Sequence, residues 1–91
     1  MNTKEKIAEK KSNKSLDSEH KFLILYNDEI NEYNYVVDSL IQICKHDSVQ
    51  AEQCTYLAHI KGKCDVKKDI YSKLKPMREA LSDRGLITKI E

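Results

Sequence analysis

The sequence holds no tryptophan, one phenylalanine, one proline (Pro76) and two glycines (Gly62 and Gly85) in 91 residues. So few turn-forming residues exclude a loop-rich scaffold. Long apolar runs are also missing. None approaches the stretch of about 18 residues that crosses a bilayer, so no membrane span is expected. An excess of one charge is missing too: 16 Lys and Arg face 15 Asp and Glu, for a formal net charge of +1. That balance argues against a strongly basic nucleic-acid binder and against a polybasic membrane anchor. Finally, the metal-binding spacings are absent. Cys44-x-His46 and Cys54-x4-His59 bring together ligand-type residues, but no Cys-x-x-Cys or His-x3-His pair accompanies them. No metal and no cofactor is expected. The odd set of cysteines (Cys44, Cys54, Cys64) follows a Lys- and Glu-rich start with no apolar leader. It reads as reduced thiols, packed as small hydrophobes, in a cytoplasmic protein.

What remains is enough for one small domain. A chain of this length buries only about 60–65% of the surface its unfolded form exposes, which leaves little room for an enclosed active site. The chain divides near residue 19. Residues 1–19 carry five lysines, four acids and, as larger aliphatics, only Met1, Ile7 and Leu16. Such a segment cannot offset its ordering entropy by burial, so a flexible extension is expected. Residues 20–91 then hold eleven Lys and Arg against eleven acids. The expected domain is formally neutral.

Within it, the run Lys21 to Tyr26, closed by Asn27-Asp28, reads as a buried strand. Asn31 suits a helix cap and Glu32 a first turn, followed by Val36, Val37, Leu40, Ile41, Ile43 and Cys44 at helical spacing. That predicts a helix over about residues 32–45. Asp47 with Gln50 resembles a capping box before a second helix, with Ala51, Cys54, Leu57, Ala58 and Ile60 turned inward. Gly62 fits that helix's end. Lys63 to Lys67 alternates as a short strand does. Asp69 is expected to cap a third helix through Ile70, Leu74, Met77 and Leu81 that ends at Gly85, with Pro76 kinking it or splitting off its first turn. Leu86 to Glu91 alternates as an outer strand. The order β-α-α-β-α-β implies an α+β domain: a small sheet with helices packed on one face.

Two features suggest chemistry. Asn27-Asp28-Glu29 stands where a strand gives way to a helix, and the same residues also make an ordinary turn. His59 sits at a helix end and gains meaning only if the fold brings it near Asn27 and Asp28. The lysines 61, 63, 67, 68, 73 and 75 are diluted by Asp65 and Asp69 and lack interleaved aromatics, so they read as a solvated face rather than an RNA-binding patch.

Taken in order, FLILYNDEINEYNYVVDSLIQI, QAEQCTYLAHIKGKC and RGLITKIE resemble the ClpS family, the adaptors of the Clp AAA+ protease. The resemblance spans residues 20–91. It implies a three-stranded antiparallel sheet carrying three helices, and a non-enzymatic protein that binds N-degron substrates by a free, bulky hydrophobic N-terminal residue. The substrate would be delivered to an unfoldase of the ClpA or ClpC type. By position, Asn27, Asp28 and His59 would meet the substrate's α-ammonium group. Asn31, Tyr33, Val36, Thr55, Ala58 and Leu86 would line the side-chain pocket, and Asp69 and Lys73 would belong to the unfoldase-docking surface. Tyr33 and Thr55 stand where Met is typical of the family. Met adapts to many shapes, whereas a stiff Tyr ring can fill or cover a pocket. The N-terminal extension, about 22–26 Å across as a flexible coil, would engage the unfoldase. The resemblance implies no nucleic acid and no membrane as partners, and the lack of a heptad seam suggests a monomer. Two other classes remain open: a ribosome- or RNA-associated module, because the family fold resembles the C-terminal domain of the ribosomal stalk protein, and a metal or thiol enzyme using His59 and the cysteines.

Overall fold

A computed structural model of the protein describes residues 19–91. The extension expected over residues 1–19 lies, but for Glu19, outside them. The elements run β1 (His20–Tyr26), α1 (Tyr33–Cys44), α2 (Ser48–Lys61), β2 (Lys63–Ile70), α3 (Tyr71–Asp83) and β3 (Ile87–Ile90). This is the α+β order expected. The sheet is antiparallel with strand order β2-β1-β3. Among the described residues no helix is long and apolar enough to cross a membrane.

The apolar residues of β1 explain its central place. Leu23 and Leu25 point to the helices and are buried with Val36, Val37 and Leu40 of α1, Ala51 and Ala58 of α2, and Leu74 and Leu81 of α3. Phe22, Ile24 and Tyr26 alternate onto the opposite face. Ile24 is nonetheless only 4% exposed. Its cross-strand partners are Asp65 and Lys89, and long side chains cover apolar surface with their stems. On the same face Lys68 lies over the Phe22 ring and Lys89 over the Tyr26 ring, 5.5 and 5.7 Å from the centroids. The β1–β2 register shifts between Leu23 and Ile24. Val66 is the extra residue, and it drops into the core.

Helix ends account for the turns. Asp47 accepts the Gln50 amide at 2.8 Å and starts α2 as expected. Gly62, at φ +94°, ends α2 with its amide on the Ala58 carbonyl. At the end of α3, Leu86 N–H bonds the Leu81 carbonyl and Gly85 N–H the Ser82 carbonyl, with Gly85 at φ +88°. That pair of bonds is a Schellman ending, and its usual apolar contact is supplied by the buried Leu81 and Leu86. Tyr35 fastens this turn to α1. Its hydroxyl donates to the Arg84 carbonyl at 2.8 Å, while the Arg84 guanidinium lies over its ring and donates to Ser39 Oγ.

Several local expectations are corrected. Asn31 is not the cap of α1: Glu32 holds that position without a side-chain bond, because the Asn31 amide is engaged elsewhere. Ile60 faces solvent, at 52% exposure. Asp69 is no helix cap but part of β2, which runs to Ile70 because pairing with β1 continues to His20. Pro76 does not divide α3, which runs unbroken through it. The carbonyl left without a donor is that of Ser72, and both residues are exposed, so water can take the missing partner's place. β3 starts at Ile87, and Leu86 belongs to the buried turn.

Leu40 is fully buried, so Leu40→Ala should cost about 2–5 kcal/mol in urea unfolding. At Gly85 an added Cβ would meet nothing closer than the Asn31 side chain at 3.9 Å. Gly85→Ala should therefore lose only the cost of a left-handed backbone, roughly 1–2 kcal/mol.

Candidate functional site

A cavity of about 280 Å³ opens at the end of the sheet where β1 leaves it. Leu25 and Tyr26 from β1, the turn residues Asn27, Asp28, Glu29 and Asn31, Tyr33 and Val36 from α1, and Thr55, Ala58 and His59 from α2 line it. The juxtaposition has a simple cause. The Asn27 amide donates to the Gly62 carbonyl at 2.9 Å, which brings the end of β1 against the last turn of α2, where His59 stands.

Asp28 organises the turn. Its Oδ1 accepts the amides of Ile30 and Asn31 at 2.9 and 2.7 Å, and its Oδ2 accepts Asn31 Nδ2 at 3.2 Å. Asn31 Nδ2 also donates to the Gly85 carbonyl at 2.9 Å, tying this turn to the one before β3. Burial raises the Asp28 carboxyl, but the hydrogen bonds from Asn31 and Ile30 together outweigh it, and the group is held below the usual aspartate value. Asn27 donates its side-chain NH₂ to Glu29 at 3.2 Å, which commits that end and keeps the carbonyl oxygen as an acceptor.

The cavity is therefore two-sided. Leu25, Val36 and Ala58 give it apolar walls. Asp28, Glu29, the Asn27 carbonyl oxygen and His59 give its rim acceptors and negative charge. The C-terminal turn of α2, the negative end of the helix dipole, borders the same space. Thr55 is buried and turns its hydroxyl back onto the Ala51 carbonyl at 2.8 Å. The Tyr33 ring neither fills nor closes the cavity. It is 44% exposed, and its hydroxyl donates to the Glu52 carbonyl of α2 at 3.1 Å.

Eight of the nine residues expected around an ammonium site and its pocket line this one cavity. Leu86 does not; it is buried in the core beside Leu81. Asp69 and Lys73 lie elsewhere. Asp69 pairs with Lys21, whereas the cavity is at the Tyr26 end of β1, about 17 Å along the strand. Glu29, singled out with Asn27 and Asp28 as one turn, lines the cavity too, and Leu25 and Tyr26 belong to it but were not among the expected residues. Their only signal in the sequence is adjacency to Asn27 and Asp28.

The cysteines do not join the site. Among the described residues no group of three or more His, Cys, Asp or Glu could hold a metal. Burial pushes the Cys44 thiol up to about 11 despite Lys67, and burial with the neighbouring Cys64 pushes Cys54 up to about 12. Cys64 is raised as well, chiefly by burial. A nucleophilic thiol needs the opposite shift.

The family model for the ATP-dependent Clp protease adaptor protein ClpS matches residues 17–86 of the chain. Among solved structures, one similar to this protein is that of Agrobacterium tumefaciens ClpS2 bound to L-phenylalaninamide. The two share 18% sequence identity and superpose with a TM-score of 0.68, over 79% of this chain and 94% of that one. At that identity the likeness is one of fold. The search of curated proteins finds no match.

Because the folded Asp28 carboxyl lies below its unfolded value, its hydrogen bonds stabilise the protein fully above that unfolded value. The contribution is lost as pH falls through the lower, folded value. Asn at this position cannot titrate. Asp28→Asn should therefore lose less stability than the wild type in a series of urea unfolding curves carried below pH 3.8, the ordinary value for the group. For the thiols, iodoacetamide at pH 8 should alkylate the part-exposed Cys64 before the buried Cys44 and Cys54, as peptide mapping would report.

Proposed function

The chain belongs to the ClpS family of ATP-dependent Clp protease adaptors, and from that premise we propose that it is a non-enzymatic adaptor for N-degron substrates. In this reading the cavity binds the free N-terminal residue of a protein through its α-ammonium group and its bulky hydrophobic side chain. The bound protein is then handed to a Clp AAA+ unfoldase. The observation that carries the reading is the union, in one cavity, of apolar walls with an acceptor-rich rim.

An ammonium group offers three donors, and the rim offers the Asn27 carbonyl oxygen, the Asp28 carboxylate and an imidazole nitrogen of His59. Charge-assisted bonds of this kind are stronger than neutral ones. Size agrees as well. A cavity of roughly 150 Å³ accepts benzene, and about 280 Å³ leaves room for a large side chain together with the amine. The similar ClpS2 structure contains L-phenylalaninamide, a free amine joined to an apolar side chain, which is the chemistry this cavity suits.

The remaining parts of the reading follow the family. Residues 1–19 act as an extension that assists transfer, and residues 20–91 as the adaptor domain. Asp69, which pairs near the end of β1 away from the cavity, and Lys73 of α3 fall within the surface that docks a ClpA- or ClpC-type unfoldase. The adaptor works as a cytoplasmic monomer. Separation of cavity and docking surface allows substrate and unfoldase to be held at once.

Peptides beginning with Phe should bind in fluorescence anisotropy, and acetylation of the α-amine should weaken them at least tenfold. Each buried acceptor left unpaired costs about 1–3 kcal/mol. Asp28→Asn is the informative variant, because Asn retains the acceptor for the Ile30 and Asn31 amides and removes the charge together with the acceptor for the Asn31 side chain. It should weaken binding at a modest cost in stability, and His59→Ala should weaken binding while unfolding close to the wild-type midpoint. Equal affinity for free and acetylated peptides would overturn the reading.

A further inference from the structure

The site reading leaves open which first residues the cavity prefers, and Tyr33 answers through its geometry. Tyr33 is the first residue of α1, and its ring lines the cavity beside Val36, one turn further on. The hydroxyl reaches across to α2 and donates to the Glu52 carbonyl at 3.1 Å. Glu52 stands one turn before Thr55, which also lines the cavity. The ring is thus held at both ends: its Cα is fixed in one helix and its oxygen is bonded to another.

That tether matters because the ring is 44% exposed. Without the hydroxyl bond it can rotate towards solvent, and the cavity would lose one wall. With the bond, the wall is a flat aromatic surface that does not remould around its guest, unlike an unbranched aliphatic side chain. The other apolar walls, Leu25, Val36 and Ala58, carry no ring; the ring of Tyr26, which also borders the cavity, lies under Lys89 on the opposite face of the sheet, and His59 belongs to the polar rim. Tyr33 is therefore the inward-facing group whose interaction with a guest depends on whether the guest is itself aromatic. Ring pairs in offset or edge-to-face contact gain about two- to tenfold in affinity beyond the area they bury.

The geometry points to Tyr33 as the specificity-determining residue of this cavity: its ring, tethered to the Glu52 carbonyl, selects aromatic first side chains over aliphatic ones. The inference rests on the amine-binding reading above. It names the substrate class within that reading: chains that begin with Phe, Trp or Tyr, in preference to Leu. If Tyr33 served only to brace α1 against α2, its removal would weaken every guest alike. The ratio of affinities, rather than any single affinity, separates the two roles.

The test uses peptides that differ only in their first residue (Phe, Trp or Leu), with an N-acetylated Phe peptide alongside, in competition anisotropy against the full chain. The wild type should favour Phe over Leu by about two- to tenfold. Tyr33→Leu should bring that ratio to about one, and Tyr33→Phe, which keeps the ring but frees it, should lower the ratio from its wild-type value. Equal binding of Phe and Leu peptides by the wild type, with acetylation still abolishing binding, would overturn the inference and leave the amine reading intact. A ratio unchanged in Tyr33→Leu would overturn it as well, and one unchanged in Tyr33→Phe would remove the role of the tether. Failure of every free-amine peptide to bind, or equal binding of the acetylated one, would overturn the amine reading and this inference with it.

Discussion

The hydrogen bond from the Asn27 amide to the Gly62 carbonyl decides where the site is. It closes β1 against the end of α2 at the point where the chain reverses into β2. The reversal needs Gly62 at φ +94°, a conformation that costs other residues roughly 1–2 kcal/mol. Once the turn forms, Tyr26 faces Lys63 across the sheet. The last turn of α2, with Ala58 and His59, is then fixed over the residues that follow β1. Thirty-two positions separate Asn27 from His59 in the sequence. A single backbone bond and a single glycine make them neighbours.

Asp28 adds a second constraint of a different kind. Its carboxylate is the hub of the turn and also a negative charge on the cavity rim. The hydrogen bonds it accepts from Ile30 and Asn31 favour its ionised form, so holding the loop and keeping the charge are one and the same act. Asn31 extends the arrangement to the Gly85 carbonyl. The turn after β1 is thus braced by the turn before β3, and the rim is stiff although it is made of loop. Preorganised acceptors lose little on meeting a cation.

How far all this was legible in the sequence depended on whether a residue acts locally. Asp47, Gly62 and Gly85 do their work within a few positions, and their roles could be read from the residues themselves. Asp69 could not, although Asp is a good cap. The pairing of β2 with β1 as far as His20 overrides that preference. Ile60 looked inward by hydropathy, yet Ala51, Cys54, Thr55 and Ala58 already form the buried side of α2. The cavity was legible through resemblance more than through chemistry. Asn27, Asp28 and His59 are each ordinary in isolation. Leu25 and Tyr26 passed unnoticed because a strand residue enters a cavity only when another element is folded beside it. Leu86 was misplaced for the converse reason: its burial depends on the Schellman turn at Gly85, not on alternation along β3.

The strand order carries one more consequence. With β1 in the centre, β2 and β3 are both edge strands among the described residues, each with a row of backbone groups that another extended chain could pair with. Those edges carry Lys63, Lys67 and Lys68 on one side and Lys89 on the other, and the Val66 bulge breaks the regular ladder of β2. Charged, irregular edges resist the growth of a sheet into a neighbour. For a protein whose proposed work keeps it beside chains that are being unfolded, this guards against becoming a template for them. In that proposed role a guest is held by its end and released whole, without being stitched to the carrier.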